Sequence, residues 1–472
     1  MTNQTYNDKY DKIIDPLYGL KRNPEMDELL IAENQQPSIY AIGDRIDMTT
    51  HATYSIDPDG CEDADDAFSI YEEDDKLWLA IHIADPTEFI NIESTLWTEI
   101  ETNIVTRYPS LNPPIHMMPH EIMERSSLMV NKYGDEKIAI TIITEINKET
   151  HCPVGKIRLL YTNVKVEKQN ALSYKLAGNS IETNTTISTG LKISKALQGM
   201  RSQLTRGVVL NELSNSYPKP DNDSLYLYSD TPPEIAMKQM IAEFAIFANS
   251  FVGEYLKINY EGTGVFRSCT AQSWLDTVYV GITGQELLNE IIVNGIQAEY
   301  ISTVSSHDLV GAPEYCHFTS PIRRLSDCVC HYLLKYIHLR NIIPDMSAPF
   351  TQDQLTKYSA DCLKQTKAVK NIQYKDTKFR LVQTIHSMLC KNEEVKIGYY
   401  VSSYTGTYLN IIISKINNHS VYLSYTLRIQ DLQAEEYTIK QLNYIPITKV
   451  KCMGKFDEGS IPELDALFSF LQ

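Results

Sequence analysis

The chain has 472 residues, more than one hydrophobic core usually serves, so two or three domains are expected. Its 43% hydrophobic and 22% charged residues, with only 20 Gly and 20 Pro, exclude a disordered chain, a collagen-like repeat and a disulfide miniprotein. The nine cysteines are odd in number and contain no CxxC pair, no uninterrupted apolar stretch is long enough to span a bilayer, and MTNQTYNDKYDK lacks a secretory pattern. A soluble chain with reduced thiols, cytoplasmic and without a membrane partner, is the expectation. The formal net charge is −17, yet residues 1–100 hold 23 acidic against 6 basic groups, so the remainder sums to zero. Residues 151–210 carry 9 basic and 2 acidic groups, and residues 321–400 carry 13 and 7. Those basic stretches suit a polyanion or a solvated helix face; composition does not choose between them.

Residues 1–48 are polar, and Pro16, Pro24 and Pro37 interrupt any long helix, so they read as a short extension. Alternation then marks strands at 67–71 and 77–84, a hairpin around the polar turn Glu72–Lys76, and again at 138–143 and 157–161. Thr231-Pro232-Pro233-Glu234 starts a helix whose apolar spacing runs to Leu256, and 325–340 and 352–391 read as helices, the second rich in Lys. After Asn392 short strand runs return near 398–402, 409–414, 420–425 and 445–450, compatible with a small β-barrel in a domain of residues 393–472.

The sharpest feature is Ile56-Asp57-Pro58-Asp59-Gly60-Cys61-Glu62-Asp63-Ala64-Asp65-Asp66-Ala67-Phe68. Carboxylates at 57, 63, 65 and 66, flanked by strands, repel one another unless a cation or solvent relieves them. All-oxygen donors favour Mg²⁺, with Mn²⁺ next, over Zn²⁺. An EF-hand started at Asp57 fails, because Glu62 and Phe68 stand where Gly and Glu are required. A metal site and a solvated acidic loop both remain open from these residues alone.

The run from Ser55 to Ala67, followed by Ile81-His82-Ile83-Ala84-Asp85-Pro86, resembles the catalytic motif of the RNB domain, found in the ribonuclease II and ribonuclease R exoribonuclease family. His317-Phe318-Thr319-Ser320-Pro321-Ile322-Arg323-Arg324-Leu325-Ser326-Asp327, running into a helix with His331, resembles its second motif, and Met240–Asn249 resembles the helix before it. The likeness covers about residues 45–390 and implies an α+β fold: an RNB-type catalytic domain (49–392) of mixed sheets and helices around an RNA channel, with a small OB/S1-like barrel to follow.

The resemblance also implies residue roles. Asp57, Asp63, Asp65 and Asp66 would organise Mg²⁺ at the scissile phosphate, with Asp65 the most critical for cleavage. Arg323 would sit at the catalytic phosphate and Arg324 at a neighbouring one; the plainer alternative for the pair is a helix-entry ion pair with Asp327. Tyr108 would pack on the terminal nucleotide and set the limit product, Tyr174 would contact a base, and Glu243 would lie beside the last bases. Structural roles compete for Tyr174 and Glu243, since the chain has 30 Tyr and a Glu on an apolar helix can serve a buried polar network. Three departures stand out: Leu325 where the family has Tyr, Gln373 where a charged residue is expected, and about fifty residues where two cold-shock barrels would precede the domain. The reading is a Mg²⁺-dependent 3′→5′ exoribonuclease that hydrolyses single-stranded RNA to 5′-mononucleotides. Its rivals are a catalytically silent RNA-binding protein on the same scaffold and a cation-binding interaction module.

Overall fold

The acidic loop leads into a strand whose pairing with the next one is set by a tight turn. The computed structural model describes residues 16–447 apart from residues 20, 35, 37, 204–215, 222–223, 272–295, 405–407 and 429–442. Asp74 and Asp75 both take positive φ, 51° and 62°. That is the two-residue geometry whose twist matches a hairpin. It joins β3 (Asp66–Glu73) to β4 (Lys76–Ala84), as the alternation predicts. With β1 (Ile46–Asp47), β2 (Thr53–Asp57), β5 (Glu136–Ile146), β6 (Pro153–Lys165) and β7 (Ala171–Ser173) they form a seven-stranded sheet ordered β1-β6-β5-β4-β3-β2-β7. The outermost pairings, β1–β6 and β2–β7, are parallel.

Helices cover the sheet. α1 (Pro24–Glu33) is capped by Asn23, and α2 (Thr95–Asn103) and α3 (His120–Ser126) lie between β4 and β5. α4 (Tyr174–Asn179) and α5 (Thr185–Ser202) follow β7, and a hairpin of β8 (Ser216–Asp221) and β9 (Ser224–Ser229) leads to α6 (Pro232–Asn259). The helix starts where Thr-Pro-Pro-Glu predicts, and there Thr231 and Glu234 make reciprocal capping bonds. By length and composition α6 is apolar enough to cross a bilayer. Here it is a core helix, burying Met237, Met240, Phe244, Val252 and Leu256. β10 (Thr263–Ser268) pairs with β11 (Glu299–Thr303), then come α7 (Leu325–Leu339) and the 39-residue α8 (Gln352–Cys390).

One apolar cluster joins the sheet to α6, α7 and the first turns of α8, as far as Cys362. A second begins at Phe379 and takes the last turns of α8 with Val395, Ile397, Ile411, Ile413 and Leu423, joined by Tyr18 and Leu227. The packing therefore changes partners within α8. β12 (Val395–Tyr404), β13 (Tyr408–Ile416), β14 (His419–Arg428) and β15 (Asn443–Ile447) make an antiparallel sheet ordered β14-β13-β12-β15. Among the described residues this sheet is open, where the strand runs had suggested a barrel; residues 429–442 and 448–472 of that tail, like residues 1–15 of the amino-terminal extension, lie outside the described residues.

Behind the acidic loop lies a buried charge network. Asp85, directly after β4, meets Arg45 at 2.7 Å and Lys335 of α7 at 2.9 Å, and Lys335 also reaches Glu88 at 2.7 Å. Burial works against the Asp85 charge, but Lys335 and Arg45 outweigh it and hold the carboxyl well below its ordinary range. Such a network ties the end of β4 to α7, and removing one partner leaves the remaining buried charge less fully compensated.

Candidate active site

Asp57 ends β2 and Asp66 begins β3, so the loop between them leaves and re-enters the sheet at neighbouring strands. Gly60 takes φ +78°, a conformation glycine adopts without strain, and the Cys61 N–H closes a turn on the Pro58 carbonyl at 3.1 Å. Further on the backbone is pinned. The Ala84 N–H donates to the Asp65 carbonyl at 2.8 Å, the Leu128 N–H to the Ala64 carbonyl at 3.1 Å, and the Ala64 N–H to Ser127 Oγ at 3.2 Å. The loop is thus held by β4 on one side and by the residues after α3 on the other.

The His317–Asp327 motif meets this loop at the entry to α7. Asp65 Oδ1 accepts the Ile322 N–H at 2.8 Å, and Asp65 Oδ2 lies 3.0 Å from Arg323 Nε. Arg323 Nη2 donates to Ser320 Oγ at 3.0 Å, while the Ser320 N–H donates to Asp327 Oδ1 at 2.8 Å. The backbone of this segment is stitched to residues 104–106: the Thr106 N–H donates to the Arg323 carbonyl at 3.0 Å and the Leu325 N–H to the Ile104 carbonyl at 2.8 Å. The Arg323 side chain keeps 45% exposure, so part of its guanidinium faces solvent although Nε is engaged. Arg324 is placed differently. Its Nη2 donates to Asp327 Oδ1 at 2.7 Å, the helix-entry ion pair, and its side chain is 24% exposed.

Burial pushes the Asp57 carboxyl up to about 6, against the Ser55 hydroxyl that donates to it and with the added repulsion of Asp63. Burial pushes Asp66 up to about 7, with Asp57 repelling it further. Burial likewise lifts Asp65, and Arg323 with the Ile322 N–H pull it back. Buried carboxyls of this kind favour the protonated form unless a cation offsets their charge, and hard oxygen donors fit Mg²⁺ or Mn²⁺. Among the described residues, however, no three His, Cys, Asp or Glu side chains are grouped closely enough to hold an ion together. The donor chemistry fits a divalent cation; the coordination shell is not assembled in this arrangement.

Tyr108 reaches the site, its hydroxyl donating to Asp63 Oδ2 at 3.2 Å. Tyr174 is brought near by register, because Ser173 pairs directly with Asp57 across β7 and β2. Glu243 does not join the carboxylates. It is buried on α6 and bonded to Arg201 of α5, whose Nε donates to Oε2 at 2.7 Å, with a second bond from Arg201 Nη2 to Oε1.

Four contributors were missed by sequence reasoning. His116 places Nδ1 4.0 Å from Asp63 Oδ2, and Ser320 holds the Arg323 guanidinium. Ser55 bonds Asp57 from two residues back on the same strand. Asp376 of α8 accepts the Ser110 N–H at 2.8 Å and the Tyr18 hydroxyl at 3.0 Å, fixing the segment that carries Tyr108. Ser55 and Ser320 stand inside the two motifs and were within reach; nothing local marks His116 or Asp376.

Residues 45–339 match the RNB domain family. Among curated proteins, DIS3-like exonuclease 2 of Schizosaccharomyces pombe is 23% identical over an alignment that covers 84% of this chain and 48% of its own. The chain spans about half the length, or less, of the curated relatives it matches first. Among solved structures, the Dss1 exoribonuclease of Candida glabrata superposes with a TM-score of 0.70 at 17% identity, covering 91% of this chain and 56% of that one. Yeast Ssd1, described as a pseudonuclease, superposes at 0.61 with 15% identity over 80% of this chain and 50% of its own. These superpositions speak for the fold alone. With the family match spanning well over half the chain, and both motifs meeting at Asp65 and Arg323, the protein belongs to the RNB domain family.

Proposed function

We propose that the chain is a Mg²⁺-dependent exoribonuclease that removes 5′-mononucleotides from the 3′ end of single-stranded RNA. The observation that carries this reading is the meeting of the acidic loop with the Arg323 segment, which sets a partly exposed guanidinium against the Asp65 carboxyl.

Asp57, Asp63, Asp65 and Asp66 are the residues that would hold the metal; once bound, it supplies charge neutralisation at the phosphate and a water more easily ionised. The chain's own groups do the rest. Arg323, oriented by Asp65 and Ser320, presents its remaining N–H groups to the non-bridging oxygens, where negative charge grows as water attacks. The bond that breaks joins phosphorus to the 3′ oxygen of the shortened chain, so the released nucleotide keeps its 5′-phosphate. Tyr108 closes the site beside Asp63, and Tyr174, which follows the Ser173 partner of Asp57, would offer a ring to a base. Arg324, spent on Asp327, and Glu243, spent on Arg201, act on the protein's own architecture before any contact with RNA.

A silent RNA-binding role is favoured by one observation, the ungrouped carboxylates, and by the existence of a pseudonuclease with this fold. Incubating the purified protein with a 3′-tailed RNA, with Mg²⁺ and then with chelator, separates the two. Metal-dependent release of 5′-mononucleotides supports the enzyme; binding without cleavage in either condition supports the silent scaffold.

A further inference from the structure

The β8–β9 hairpin has two unlike faces. Leu225 and Leu227 of β9 are buried, Leu227 within the second apolar cluster. The alternate positions carry Tyr217 and Lys219 on β8 and Tyr226 and Tyr228 on β9, with Tyr217 directly opposite Tyr228 and Lys219 directly opposite Tyr226. This face is open: Tyr217 is 37% and Tyr226 40% exposed. The Tyr217 and Tyr228 rings lie 5.6 Å apart, and Lys219 Nζ stands 3.8 Å from the Tyr228 centroid. Cross-strand aromatic pairs also stabilise a two-stranded hairpin, which accounts for Tyr217 against Tyr228. It does not account for the exposed Tyr226 or for what lies beside them.

The face continues to the candidate active site. Lys238 Nζ lies 5.6 Å from the Tyr217 ring and 5.6 Å from the Tyr174 ring, bridging the hairpin to the residue that follows the Asp57 partner. Asp59 of the acidic loop is close enough to add to the effects that raise the two hydroxyls, burial first for Tyr217 and the bond it donates to Glu234 first for Tyr228. Open tyrosine rings interleaved with ammonium groups, leading to a phosphodiester site, are the chemistry that holds unpaired bases: rings stack any base while lysines follow the phosphates.

We propose that Tyr217, Tyr226, Tyr228 and Lys219, linked through Lys238 to Tyr174, form a base-stacking platform that delivers single-stranded RNA to the acidic loop. The inference rests on the proposed function for the identity of its ligand. The test is fluorescence anisotropy in chelator, with two labelled oligonucleotides of equal phosphate count, one a uridine tract and one abasic. Tyr217→Ala combined with Tyr226→Ala is expected to weaken uridine-tract binding about tenfold and to leave abasic binding as in wild type. Tyr217→Phe combined with Tyr226→Phe keeps the rings and is expected to bind like wild type, which separates lost stacking from a misfolded hairpin. Equal weakening of both oligonucleotides in the alanine variant, or none of either, overturns the platform while wild-type binding leaves the proposed function standing. A wild-type protein that binds neither oligonucleotide overturns both.

Discussion

Arg323 and Asp65 meet through Nε and Oδ2 at 3.0 Å, and the other oxygen of the same carboxylate takes the Ile322 N–H. Asp65 therefore aims the guanidinium as well as contributing charge. Asp65→Asn is expected to abolish cleavage while single-stranded RNA binding stays near wild type or tightens, since one negative charge beside the phosphate is gone. Arg323→Lys keeps a cation but loses the planar fork whose separate nitrogens meet Asp65 and Ser320, and should lower the single-turnover rate about 100-fold. Asp65→Asn retaining more than about a tenth of the rate would remove Asp65 from its assigned role.

The raised carboxyls predict a pH-dependent response to metal. A carboxyl whose folded pKa lies above its ordinary value near 3.8 contributes stability that is present at low pH and lost as pH rises through the folded value, about 7 for Asp66. In chelator, wild-type Tm should fall relative to Asp66→Asn between about pH 4 and 7. Mg²⁺ competes with those protons, so the Tm increase it causes should be larger near pH 8 than near pH 5.5. Thermal melts of both proteins across that range decide it; a Mg²⁺ effect equal at both ends would contradict the metal role of these carboxyls.

Tyr108→Ala should change the final product size more than the rate on long RNA. Long substrates keep many other contacts, so one stacking partner worth about 1–3 kcal/mol is mostly masked until only a few nucleotides remain. Denaturing gels over a time course read the outcome. An unchanged ladder with a uniformly slower rate would return Tyr108 to a structural role beside Asp63.

Glu243→Gln should destabilise the fold by about 1–3 kcal/mol, because it exchanges charge-assisted bonds to the buried Arg201 for weaker neutral ones. Urea unfolding measures this, and replacing both partners by apolar residues should recover much of the loss. A variant with normal stability but an altered product ladder would instead give Glu243 a direct RNA contact.

Much of this was legible in local pattern. The Asp74-Asp75 turn, the helix start at Thr231-Pro232 and both motif segments are short-range signals, and each appears where the residues predict. What escaped depends on distant partners. The parallel pairing of Asp57 with Ser173 needs β7 to return beside β2, and the Glu243 partner sits on another helix. The exchange of cores within α8 leaves no mark in its sequence, because both halves present buried apolar residues on a Lys-rich helix. For the adjacent arginines the sequence offered a phosphate role or an ion pair with Asp327; the fold divides them, sending Arg323 to Asp65 and Arg324 to Asp327.

The bond between Asp65 and the Ile322 N–H spans 257 residues, and this has a consequence for how the protein is made. Synthesis at roughly 5–20 residues per second delivers the acidic loop tens of seconds before the segment that answers it. During that interval the nascent sheet carries the most acidic part of the chain, with neither the Arg323 guanidinium nor the Lys335 ammonium to offset it. The β3–β4 hairpin can form early from its own turn, but the junction of the acidic loop with the Arg323 segment must wait for α7. Recovery of the proposed activity on refolding should accordingly lag the return of the first sheet and coincide with the docking of α7.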